Sequence, residues 1–228
     1  VDGGSAHGGL QPVCDRINRP IMAAMAPFMH RGTMPVRRAY DPGAAAPPQV
    51  TVHMAESIRN VFKGRVLTLN LEQVRLPNGR VAELEIAHHP GGAAIVAVDA
   101  DGRVCLLRQF RHAAGGWLIE LPAGKLDGGE PPLECAQREL AEEAGVVATH
   151  WEKLGEFYSS PGVLTEVIHL YLARDLAAAD ARPEEHEVFE ARWIPLEEAV
   201  ELAASGRLQD AKSLIGLLWA REKLRSAR

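Results

Sequence analysis

Five glutamates crowd one short stretch of the chain, GKLDGGEPPLECAQRELAEEAGV at residues 124–146, and three of them, Glu139, Glu142 and Glu143, fall close together near its end. Pro131 and Pro132 suit a first helical turn and Gly145 suits a stop, so 131–144 is expected to be a helix. Leu133, Ala136, Leu140 and Ala144 recur at three- and four-residue steps and are expected to form its buried stripe. Glu139, Glu142 and Glu143 then project to the other side, with Glu139 and Glu143 one turn apart. Like charges at this spacing repel by roughly a few tenths of a kcal/mol per pair. A hard divalent cation, which takes oxygen ligands, fits best as the offsetting charge, and Arg138 can share that work. Three glutamates alone describe an ordinary solvated helix face; the residues around them change the reading.

The elements that must hold this helix are visible in the periodicity. From Val61, VFKGRVLTLNLEQVRL alternates with period two, Pro77-Asn78-Gly79 supplies a turn, and RVAELEIAHH alternates again, which predicts a hairpin. AAIVAVDADGRVCLLRQF predicts a second hairpin joined at Asp101-Gly102. Further strands are expected at 117–121 and around 151–159, 166–173 and 189–194. Helices are expected from about Leu196 to Ala204 and from Asp210, a suitable N-cap, to about Leu224. Strands with one inserted helix and helices after them make an α+β, layered α/β/α fold, not a regular βαβ series. Residues 1–50, rich in Gly, Ala and Pro and without sustained period, are expected to be a disordered extension in which AYDPGAAAPPQV is a linker. Met34 and Met54 stand as alternative starts.

Composition narrows the function. The 228 residues suffice for one sizeable domain or a domain with an appendage. A formal charge of -5 lacks the basic surplus of a protein that lives on phosphate contacts with DNA or RNA. Cys14, Cys105 and Cys135 show no CxxC spacing, which suggests reduced thiols in the cytoplasm and neither a disulfide scaffold nor a zinc site. Cys135 is expected to pack in the helix and not to attack. The apolar run Ile21 to Met29 is too short for a membrane span and lacks a clean cleavage site, so neither a membrane anchor nor a signal peptide is expected.

Gly124, Glu130, Arg138-Glu139-Leu140, Glu142-Glu143 and Gly145-Val146 follow G-x5-E-x7-R-E-U-x-E-E-x-G-U, with U aliphatic, at every fixed position. This pattern resembles the Nudix box. The resemblance implies a Nudix fold with a mixed sheet between helices, in which a loop–helix–loop clamps a metal-bound diphosphate. The small antiparallel sheet of 51–88 would precede a Nudix domain at 89–228. Glu130 and Arg138 would tie loop to helix and orient the carboxylates. The Ala123 carbonyl, Glu139 and Glu143 would be metal ligands, with Glu142 and Arg138 in the catalytic group.

Outside the box, residues 55–225 resemble the ADP-ribose pyrophosphatase branch. Arg108-Gln109-Phe110-Arg111 and Glu120-Leu121-Pro122-Ala123-Gly124 match R-Q-[FY]-R and E-[LM]-P-A-G. Arg108 and Arg111 suit bidentate phosphate contacts, and Lys125 is taken with them as substrate-binding. Glu120 is either an acceptor for the nucleotide end or a structural partner. Ser160-Pro161-Gly162 with Glu166 matches the substrate loop S-P-G-x-x-x-E, so Ser160, Gly162 and Glu166 are substrate-binding candidates. Glu184-Glu185-His186-Glu187 matches the acidic loop of the branch: Glu185 would be the general base and Glu187 a metal ligand, or the two would exchange roles. Gly206 to Ser213 matches a helix entry read as architecture. The resemblance implies hydrolysis of ADP-ribose to AMP and ribose 5-phosphate with two or more Mg2+ (or Mn2+) ions, in a homodimer. A broader GDP-mannose or ADP-glucose type pyrophosphatase and a non-catalytic ADP-ribose sensor are the alternatives.

Overall fold

The computed structural model describes residues 55–180 and 188–226. The expected extension at 1–50 and the acidic loop Glu184–Glu187 lie outside the described residues. Three strands come first: β1 (Ser57–Lys63), β2 (Thr68–Arg75) and β3 (Val81–His88), antiparallel in that order. The run from Val61 is thus two strands and not one, because Gly64 interrupts it and its N–H donates to the Leu67 carbonyl at 2.8 Å. The β2–β3 turn forms where Pro-Asn-Gly predicts it. The Gly79 N–H donates to the Leu76 carbonyl, and Gly79 takes φ +83°, a left-handed backbone that favours glycine.

The remaining elements are β4 (Gly92–Ala97), β5 (Arg103–Arg111), β6 (Gly116–Glu120), β7 (Ala123–Lys125), α1 (Pro132–Ala144), β8 (Val146–Tyr158), β9 (Val167–Ala178), β10 (Phe189–Pro195), α2 (Leu196–Ala204) and α3 (Ala211–Ser226). They build a mixed sheet β7-β4-β9-β8, in which only β4 and β9 run parallel, and an antiparallel sheet β10-β5-β6. The Asp101-Gly102 turn is present, but β4 and β5 do not form the expected hairpin. They share one bridge, Val98 to Val104, and then part into different sheets. Each is taken on both edges by other strands, β4 by β7 and β9, β5 by β6 and β10. Sequence alternation shows that strands exist; it does not say which strands pair.

β4 is buried along its whole length, as an apolar run covered on both faces must be. Ala93, Ile95 and Ala97 pack with Cys135, Ala136 and Leu140 of α1, whereas Val96 packs with Ala199, Val200 and Leu217 of α2 and α3. Helices therefore cover opposite faces of one strand, which is the layered α/β/α arrangement. The α1 stripe differs from expectation at its start: Leu133 is 37% exposed and Cys135 takes the buried place. Cys135 is fully buried, and burial pushes its thiol up to about 12, so it packs and stays protonated. Asp210 caps α3 as predicted, its Oδ2 accepting the Ser213 N–H at 3.0 Å. Among the described residues no helix is long and apolar enough to cross a membrane.

Leu140 anchors the acidic helix to the sheet with no exposed surface. Leu140→Ala is expected to cost about 2–5 kcal/mol. Urea unfolding should show a lower midpoint at unchanged slope.

Candidate active site

The box places its acidic side chains between α1 and β7. Glu139 and Glu143 are only 7% and 3% exposed, so they do not sit on a free solvent face opposite the buried stripe as the helical pattern suggested. They turn toward the strand that precedes the helix. The Glu143 Oε2 accepts the Ala123 N–H at 2.8 Å. A Cβ built on Gly124 would lie 1.6 Å from the Glu139 Oε1, so glycine is the one residue that lets this carboxylate approach the strand.

Arg138 supplies the cation that holds the carboxylates together. Its Nε and Nη2 donate to the two oxygens of Glu130 at 3.1 and 3.0 Å, and its Nη1 donates to Glu139 at 2.7 Å and Glu142 at 3.0 Å. The expected loop-to-helix tie is therefore present and bidentate. The hydrogen bonds from Arg138, outweighing burial, hold the Glu130 carboxyl below its ordinary value of 4.5. The contribution of this pair to stability is full above that pH and falls away as pH drops through the lowered value. The same bonds, with Glu130 first, push the Arg138 guanidinium higher still, so it stays charged.

A cavity of about 480 Å³ opens beside this wall. Arg111, Ala123, Lys125, Arg138, Glu139 and Glu166 line it, six of the sequence-derived candidates, brought together from β5, β7, α1 and the loop before β9. The Lys125 ammonium pairs with Asp127, which also lines the cavity. Ser160 and Gly162 are exposed in the loop after β8, while their neighbour Ser159 reaches the cavity. That loop is pinned to β3 by the Ala87 N–H to the Val163 carbonyl at 2.8 Å and the Thr165 N–H to the Ala87 carbonyl at 3.1 Å. Arg108 is not brought to the cavity. Three residues before Arg111 on one strand, it falls on the opposite face, where its guanidinium stacks 4.1 Å from the Trp117 ring centroid and pairs with Glu190. Glu120 does not line the cavity either; it is 1% exposed, and both its oxygens are taken by Arg111 and Lys212. Of the two roles open for it, the structural partner is the one these contacts describe.

Sequence reasoning missed several lining residues. Lys212 lay in a segment read as architecture, His89 at the end of a strand, and Phe157 and Val66 in alternating runs with no chemical signature. His89 faces Glu166 with its Nδ1 3.2 Å from the Glu166 Oε1, and its N–H donates to the Thr165 Oγ1 at 3.0 Å.

The donor set fits a hard divalent cation. Two buried carboxylates stand one turn apart beside the Ala123–Gly124 backbone, and the Gly124 cradle leaves Glu139 the room a Cβ would fill. Among the described residues no three His, Cys, Asp or Glu side chains form a preformed cage. An ion here would take one or two carboxylates, backbone oxygen and substrate phosphate oxygens, the way Mg2+ is usually held beside phosphates. Gly124→Ala is expected to displace Glu139 and to lower metal affinity and kcat/KM by about 10–100-fold with the fold intact. Metal titration and circular dichroism measure the two.

The NUDIX domain family model matches residues 88–215. The chain is 38% identical over 165 residues to the ADP-ribose pyrophosphatase of Bacillus subtilis (strain 168), covering 72% of this chain and 89% of that protein. It is 37% identical to the ADP-ribose pyrophosphatase of Mycobacterium tuberculosis over 166 residues, 71% of this chain and 80% of that one. The GDP-mannose pyrophosphatase of Yersinia enterocolitica is 36% identical over 146 residues, 60% of this chain and 76% of that one. A crystal structure of an ADP compounds hydrolase superposes with a TM-score of 0.67 at 22% identity, over 77% of this chain and 95% of that chain, which shows a shared fold. With the box complete and folded around its own arginine, the chain belongs to the Nudix family and is a Nudix pyrophosphohydrolase.

Proposed function

We propose that this chain hydrolyses the diphosphate bond of ADP-ribose to give AMP and ribose 5-phosphate, with Mg2+, or Mn2+ in its place, as the working cation and two or more ions per site. The observation that carries the proposal is the cavity wall itself: Glu139, braced by Arg138 and seated against Gly124, shares one cavity with Arg111 and Glu166. The relatives bearing the ADP-ribose pyrophosphatase name support the choice of substrate.

In this reading Glu139, Glu143 and the Ala123 carbonyl would hold the cation, with Glu187 adding a further carboxylate; when bound, the ion would supply positive charge against the diphosphate and would lower the pKa of a bound water. Arg138 keeps Glu139 and Glu142 from repelling each other and fixes their orientation. Arg111 and Lys125 bind the diphosphate oxygens, and Glu166 with the Ser160–Gly162 loop borders the nucleotide or sugar portion. Glu185, or Glu187 in exchange, takes the proton from water. Arg108, on the outer face of β5, is left without a part in this cavity.

A second reading, a broader nucleotide-sugar pyrophosphatase, is favoured by the similarity to GDP-mannose pyrophosphatases. We also infer a homodimer built on the β1–β3 sheet. β1 is exposed throughout, and Ile58, Val61 and Phe62 are 61%, 50% and 59% exposed, more apolar surface than a small sheet leaves in water without a partner. Buried, unpaired Cys105 and Cys135 accord with a cytoplasmic setting.

A panel of ADP-ribose, GDP-mannose and ADP-glucose, with and without Mg2+, is expected to give the highest kcat/KM for ADP-ribose, with AMP and ribose 5-phosphate as products. Equal or higher values for GDP-mannose move the assignment to the second reading. Glu143→Gln is expected to keep the native circular dichroism spectrum and lose at least about 100-fold in kcat; near-native turnover in a metal-titrated assay removes Glu143 from the metal site.

A further inference from the structure

Glu120 ends β6 and is 1% exposed, a buried carboxylate that does not line the cavity. A lone carboxylate at that depth would be costly, and it is fully engaged. Its Oε1 accepts the Arg111 Nε at 2.9 Å; its Oε2 accepts the Arg111 Nη2 at 2.8 Å and the Lys212 Nζ at 2.5 Å. Both partners line the cavity, one from the end of β5 and the other from the first turn of α3.

The attachment of α3 reinforces this contact. Lys212 also pairs with the Asp210 Oδ1 at 3.0 Å. The Asp210 Oδ2 takes the Ser213 N–H and hydroxyl, and the Ser213 Oγ accepts the N–H of Leu121, the residue next to Glu120, at 2.7 Å. Ser213 has no exposed surface. The start of α3 is thus stitched to the end of β6, and the two cations are set beside each other by residues 92 positions apart.

Donor arithmetic shows what remains for a ligand. A guanidinium carries five N–H donors and an ammonium three. Glu120 uses two of those on Arg111, and Glu120 with Asp210 uses two on Lys212, so four are left among the described residues. Two carboxylates balance the two cations, so the cluster adds no net charge. What it offers an oxyanion is direction and fixed spacing.

We propose that Glu120 is a positioning residue that locks Arg111 and Lys212 into a two-pronged clamp for an anionic group of the substrate, making the start of α3 part of the binding site. The proposal rests on the pyrophosphohydrolase reading above. A glutamine at 120 cannot replace the carboxylate, because its amide NH2 would face a donor whichever way it turned. An aspartate keeps the charge and both acceptors, with a shorter reach.

The test uses the full chain and whichever nucleoside diphosphate sugar the wild type turns over best. Glu120→Gln is expected to raise KM about 10-fold or more with kcat within about 3-fold, and Glu120→Asp to recover part of the loss. Lys212→Met is expected to raise KM alone, and the Glu120→Gln/Lys212→Met double variant to be no weaker than the worse single, since both act through one clamp. The Mg2+ concentration for half activation should stay unchanged in all of them. Wild-type KM in folded Lys212→Met, multiplying effects in the double variant, or a loss confined to kcat overturns the proposal. Should Glu120→Gln fail to fold by circular dichroism, Glu120→Asp and Lys212→Met decide it by the same KM criterion. A wild type that turns over no nucleoside diphosphate sugar would instead overturn the parent reading.

Discussion

The contact between Arg138 and three glutamates is the constraint on which the site depends. Glu130, Glu139, Glu142 and Glu143 lie within one loop and one helix, and without a cation they would drive the segment apart. Arg138 reaches the first three at 2.7–3.1 Å. A planar guanidinium bonds a loop carboxylate on one edge and helix carboxylates on the other, which the point charge of a lysine could not do. The loop is thereby folded back onto the helix, and Cys135 beneath it lies 3.4 Å from the Lys125 carbonyl. Glu139 can then stand against Gly124, where a cation would meet carboxylate and backbone oxygen together.

The layers explain how opposite charges come to share one cavity. β4 is covered by α1 on one face and by α2 and α3 on the other. α1 brings the acidic wall through β7, and the start of α3 brings Lys212 beside Arg111 of β5. An anionic wall suited to a metal and a cationic pair suited to an oxyanion therefore face one volume of about 480 Å³.

Much of this was legible in advance, for identifiable reasons. The box residues interact locally, within one loop and one helix, so the resemblance carried by their spacing already implies the Glu130–Arg138 tie. The Asn78-Gly79 turn, the Gly145 stop and the Asp210 cap each depend on backbone demands that few residues meet. Partnerships across long separations were not legible. Alternation suggested a hairpin where β4 and β5 diverge, and an arginine pair at 108 and 111 looked like one phosphate grip until the strand put them on opposite faces. Leu133 fits the apolar stripe by spacing, yet in the first turn of the helix it is exposed, while Cys135 fills the packed position.

By itself the sequence carried the chemistry: a short segment whose acidic residues, one arginine and two glycines are spaced as in the Nudix box, a resemblance that implies a cation beside a diphosphate. Only the tertiary structure decided which other residues meet that segment. Lys212 comes from 69 positions beyond Glu143, and Glu166 from the far side of β8. Local spacing governs what neighbours along a helix can do, whereas meetings across the fold are settled by which apolar faces pack and which strand edges pair, and those are properties of the whole chain at once.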